Sequence, residues 1–186
     1  LKESQTNIPR WEDKSALWET RPGSTPSLQN ISESIEKGSK AQSAHTHCTQ
    51  DPYLIPRIIN YKYSQEKLSC HIIAIDTTQL RNLQVHYLLQ QDDRDRCGII
   101  KGSTAERLAA AYSEVIIEGT SFPCEAVVAV QTVRSFLETT TYIQDARTDI
   151  SATDHENIRK FVLTAHQASP NAGNQHKQHE IYLVSD

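Results

Sequence analysis

Histidine and cysteine supply the first candidates for chemistry in this chain. His45, Thr46, His47 and Cys48 place three possible ligands within four residues, and Cys70 with His71 adds two more. A zinc site needs such groups to converge on one point. In an extended segment His45 and His47 point to one side and Cys48 to the other. No second compact pair accompanies them, so no metal is expected. The four cysteines, Cys48, Cys70, Cys97 and Cys124, show no CxxC spacing, and their even number suits two disulfides in any of the three possible pairings. His176 and His179 stand among Lys177 and Gln178 and read as solvated.

Other reaction classes find less support. There is no G-x-S-x-G elbow to raise a serine, and a Cys-His mechanism needs a thiolate that a disulfide would remove. Only six glycines occur, none in a phosphate-cradling arrangement, and no cofactor is expected. Aspartate and glutamate are scattered and read as solvated side chains. A net charge of -4 without a basic stripe gives no general attraction to phosphates. The sequon Asn30-Ile31-Ser32 makes Asn30 a glycosylation candidate. The longest apolar run, 126–130, is strand length and far short of the roughly 18 residues that cross a bilayer, so no membrane contact is expected.

These residues must be positioned by a modest fold. With 186 residues, 37% of them hydrophobic, the chain can bury one core. Residues 1–24 are polar, carry Trp11 and Trp18, and read as an N-terminal arm; residues 25–186 read as one α+β domain. A first helix is predicted over 26–37, with Thr25 as cap and Leu28, Ile31 and Ile35 on one face. Capping boxes predict further helices after Ser103, with Glu106, and after Thr153, with Glu156. Strands are predicted over 57–63, 70–76, 85–89, 97–101, 115–117 and 124–133, with 92–96 as an exposed hairpin tip and 181–184 as a closing edge strand. The expected fold is an antiparallel sheet with about three helices, stabilised by disulfides.

One helix followed by strands, a polar tip and then Cys97-Gly98-Ile99-Ile100-Lys101-Gly102 resembles the small secreted ribonuclease fold of fungi. It is most similar to the ribonuclease-like effectors that plant-pathogenic fungi secrete, over about residues 26–103. In active members an arginine steadies the phosphate and a histidine is the general acid. Here those strands read Gln84-Val85-His86-Tyr87 and Gly98-Ile99-Ile100-Lys101, so the arginine is missing and lysine stands at the acid's place. A lysine, with an ordinary pKa of about 10.4, is a poor proton donor near neutral pH. The resemblance implies the scaffold without its chemistry: a secreted binding protein, an effector that contacts a host protein or is detected by a host immune receptor. Two alternatives are a ribonuclease or RNA-binding protein using His86, Glu66 and Lys101, and a carrier of a small apolar ligand. A chain starting at Leu1 and lacking methionine fits the removal of a signal peptide, so an extracellular or host-delivered location is expected.

Overall fold

A strand whose residues are all apolar needs cover on both faces, and Ile181-Tyr182-Leu183-Val184 is such a run. The computed structural model describes residues 31–37, 45–62, 70–119, 122–136, 150–170 and 179–185. Their elements are α1 (Ile31–Lys37), β1 (His45–Thr49), α2 (Ile55–Lys62), β2 (His71–Asp76), β3 (Val85–Tyr87), α3 (Gln91–Arg96), α4 (Thr104–Ala111), β4 (Glu114–Glu118), β5 (Val127–Thr132), α5 (Val133–Phe136), α6 (Ala152–Ala168) and β6 (Glu180–Ser185). The strands make one sheet in the order β3-β4-β1-β6-β2-β5, and every neighbouring pair is antiparallel. The α+β class with an antiparallel sheet agrees with the sequence reading. The described residues hold six helices instead of about three.

Helices cover one face of the sheet and turns cover the other. Beneath α2 and α6, Ile72, Ala74 and Tyr182 pack with Ile55, Ile59, Ile158 and Phe161. Beneath α1 and α4, Ile116 meets Ile31, Ile35, Ala105 and Ala109. On the opposite face Ile73, Ile75, Val115, Ile117, Ile181 and Leu183 pack under Leu80, Phe122 and Ala126, which come from turns. Each fully buried isoleucine stabilises the fold by about 1.5–3 kcal/mol.

Capping explains where the two longer predicted helices begin. Ser103 Oγ accepts from the Glu106 N–H at 3.1 Å, and the Glu106 carboxylate accepts from the Gly102 N–H at 2.6 Å, which fixes the start of α4 as predicted. α6 starts before Thr153, because Ser151 Oγ accepts from the Asp154 N–H at 3.1 Å while Glu156 engages Arg159. Four other expectations are corrected. The described part of predicted strand 57–63, residues 57–62, is helical: Ile55 and Ile59 fall one helical turn apart against the core, and Asp51 caps the preceding turn through the Tyr53 N–H. Segment 92–96 is helix α3, with Asp92 and Asp93 in its first turn and Arg94 and Arg96 in its last, the charge order that a helix dipole favours. Cys97 therefore ends a helix, and 98–102 form turns instead of a strand. β6 lies between β1 and β2 and is not an edge.

The predicted disulfides are also corrected, since all four cysteines carry thiols. Cys48 belongs to the turn-side core, Cys70 to the core under α2 and α6, and Cys97 to the core under α1 and α4, while Cys124 is at the surface. A disulfide needs Cα atoms within about 7 Å, and Cys48, Cys70 and Cys97 each pack in a different core. Burial, reinforced by the nearby Asp93 and Glu118, pushes the Cys97 thiol up to about 11. A raised thiol pKa favours the fold below the unfolded value of about 8.5, and that contribution is lost as pH rises towards 11. Ellman's reagent at pH 8 should therefore titrate one thiol rapidly in the native protein, at Cys124, and three more only after unfolding without reductant. Two thiols or none after unfolding would restore the disulfide reading.

The arm 1–24 with Trp11 and Trp18, the sequon at Asn30, Glu66 and His176 lie outside the described residues.

Candidate functional site

The sequence Glu114-Val115-Ile116-Ile117-Glu118 alternates, so one face of β4 presents a carboxylate, an isoleucine and a second carboxylate. Register places a histidine on each side of that isoleucine. His47 of β1 and His86 of β3 both stand opposite Ile116. A residue two places along the facing strand lies about 7–8 Å away, within reach of long side chains. His47 accordingly takes Glu114, with 2.5 Å between Nδ1 and Oε1, and His86 takes Glu118, with 2.6 Å between Nε2 and Oε1.

The two pairs differ in what meets the other ring nitrogen. At His47 it is a serine. The inward face of α1 buries Ile31 and Ile35, and Ser34, one residue before Ile35, is carried with them onto the sheet and is only 5% exposed. Its Oγ lies 2.6 Å from His47 Nε2. A serine within a helix commonly turns its hydroxyl back to the carbonyl four residues earlier; this one is directed at the imidazole. A carboxylate on Nδ1 can only accept, so Nδ1 carries the proton and Nε2 is left to accept from the Ser34 hydroxyl. His47 keeps 20% of its side chain exposed and Glu114 12%, so the cluster is covered but open to solvent along the ring.

The backbone around Glu114 is held tightly. Ser113 lies in the left-handed region with φ 46°, the only non-glycine residue with positive φ among the described residues. An L-residue there costs about 1–2 kcal/mol. That turn directs the chain from α4 into β4 at Glu114, while Thr49 Oγ1 donates to the Tyr112 carbonyl at 2.7 Å and the Gln50 N–H donates to the Ser113 carbonyl at 3.0 Å. Strain stored beside a site's acid is a recurring mark of function.

At His86 the second nitrogen meets no serine. Nδ1 is buried without a hydrogen bond, and Asp93 Oδ1 is 3.9 Å away. Asp93 Oδ2 accepts from the Tyr87 N–H at 2.7 Å, which ties α3 to β3. This pair is 4% exposed at His86 and packs the short edge of the sheet. The residues of the ribonuclease-like alternative are not brought together: His86 is buried and held by Glu118, Lys101 is exposed on a turn, and Glu66 is outside the described residues. As expected, His45 and His47 lie on the same side of β1 and Cys48 on the other. Among the described residues no three histidines, cysteines or carboxylates converge as a metal site.

The expectation that acidic side chains are merely solvated is corrected at several places. Asp76, Asp93, Asp154 and Glu180 are buried. Asp76 accepts from the Thr78 N–H at 2.9 Å, the Thr78 hydroxyl at 2.6 Å and the Ser169 hydroxyl at 2.5 Å. Burial alone would raise its pKa; the bonds from Ser169 and Thr78, with His179 nearby, outweigh that and hold it below the ordinary carboxylate value. With its oxygens occupied, Asp76 ties the end of β2 to the end of α6 and is structural.

The hydroxyl, imidazole and carboxylate of this chain of bonds thus come from α1, β1 and β4. Comparison with protein-family models, with curated proteins and with solved structures finds no match to this chain. Sequence reading found His47 as a possible ligand but missed Ser34 and Glu114, which stand 13 and 67 residues away from it. The available signal was the alternation of 114–118, which gives a strand face two carboxylates.

Proposed function

We propose that this protein is an enzyme of the acyl-transfer class, with Ser34 as nucleophile, His47 as general base and Glu114 as the group that orients the imidazole. The observation that carries this reading is the two-link relay of 2.6 Å and 2.5 Å from hydroxyl to carboxylate. In the reaction Ser34 Oγ attacks the carbonyl carbon of an ester as His47 Nε2 takes the hydroxyl proton. The bond to the leaving oxygen breaks, and His47 returns the proton to the departing alcohol. Water, deprotonated in the same way, then releases the acid and frees Ser34.

A fluorophosphonate probe tests this directly. Mass spectrometry of the intact protein should show one adduct, peptide mapping should place it on Ser34, and Ser34→Ala should abolish it. Native protein that takes up no probe would overturn the proposal, as would labelling unchanged in Ser34→Ala.

The binding role expected from the sequence stands beside this as a second reading, supported by β5, which pairs with β2 alone among the described residues. Its secreted, effector-like setting loses the support of disulfides once the cysteines are thiols.

A further inference from the structure

The sheet treats its two edges differently. β3 is three residues long, and a strand that short offers an incoming chain little to pair with. β5 is twice that length and reads Val127-Val128-Ala129-Val130-Gln131-Thr132, with no charge and no proline. Among the described residues it pairs only with β2, so its outward N–H and C=O groups face away from the sheet. Among the described residues its one protective device is a register shift opposite Ala74 and Ile75, which bulges the strand at Val128. Native edges of this length and composition usually carry a lysine, a proline or a covering element.

Beside this edge runs a groove of about 480 Å³, with Val128 and Gln131 on the strand side and Lys160, Phe161 and Thr164 on the α6 side. Six strand residues span about 20 Å, enough for an added strand of five or six. The charge on the groove wall selects what enters. Glu156 is held by Arg159 through two bonds of 2.8 Å, leaving Lys160 only a 4.0 Å approach to the same carboxylate. The Lys160 side chain is 68% exposed and lines the groove, so an incoming carboxylate competes for it only with this long ion pair.

We infer that the β5–α6 groove binds an extended, acidic segment of another protein as an additional strand, its backbone pairing with β5 and a carboxylate side chain meeting Lys160. A second copy of this chain fits less well, because β5 carries no carboxylate to answer Lys160. The surface lies at the edge opposite β3 and uses none of Ser34, His47 or Glu114, so this inference and the proposed chemistry stand or fall separately.

The test is fluorescence polarisation of the labelled peptide TVEVTV against the full chain, beside TVKVTV and a TVEVTV N-methylated at alternate residues. TVEVTV should bind saturably, TVKVTV about tenfold more weakly, and the N-methylated peptide not at all, because it cannot pair with the strand. Lys160→Glu, at an exposed helix position that leaves folding intact, should reverse the preference between the first two. Equal binding of all three peptides, no saturable binding, or an unchanged preference in Lys160→Glu would overturn the inference. So would a dimer by sedimentation that Val128→Lys dissociates, since β5 would then be occupied by a second copy.

Discussion

Exchanging His47 for glutamine should slow phosphonylation of Ser34 by about 1,000-fold, the range in which a positioned general base contributes. Glutamine can still hydrogen-bond to both Ser34 and Glu114 but cannot take the hydroxyl proton, so it separates catalysis from packing. The thermal midpoint should move by only a few degrees, because no buried partner is left wholly unpaired. Glu114→Gln should have a smaller effect, on the order of 100-fold, through the imidazole tautomer. An amide can present its N–H to Nδ1 and favour the proton on Nε2, which then cannot accept from Ser34. If both variants label as fast as the native protein, Ser34, His47 and Glu114 form a structural bond chain and the proposed enzyme falls.

Asp76→Ala should destabilise the fold by about 3 kcal/mol, because it strands the Ser169 hydroxyl and the Thr78 N–H without their acceptor. Ser169→Ala removes one donor and should cost about 1 kcal/mol. The pH dependence has a definite sign. A carboxyl held below its ordinary pKa favours the folded state above the unfolded value, about 3.9, and that contribution disappears as pH falls through the folded value. Urea midpoints measured between pH 6 and pH 2 should therefore fall less steeply in Asp76→Asn than in the native protein. Parallel curves would show that Asp76 is not the group whose protonation loosens the end of β2.

How much of this was legible in the residues depends on how far apart the partners lie. α4 and α6 are readable because cap and apolar stripe sit within one window, Ser103 with Glu106 for the first and Ile158 with Phe161 for the second. β2 is readable because Ile72-Ile73-Ala74-Ile75 is short, apolar and β-branched. α2 is not, since Ile58 and Ile59 with Tyr61 look like a strand until Ile55 and the core beneath it are known. α3 is hidden by its charge, which resembles a loop tip unless the order of acidic and basic residues is weighed. The site is hidden by distance. Nothing local to Ser34 indicates that its neighbour will be His47, and only the β1–β4 register brings Glu114 to the same ring.

The place of β6 constrains how the chain can be made. Synthesis runs from the amino end, and the strand that joins β1 to β2 lies at residues 180–185. Until β6 is available β3-β4-β1 and β2-β5 lack the strand that joins them, and the inner edge of the second half, β2, is apolar while that of the first, β1, is largely polar. Such edges invite misassociation during translation. Completion of the sheet therefore waits on β6, the one strand that both halves need.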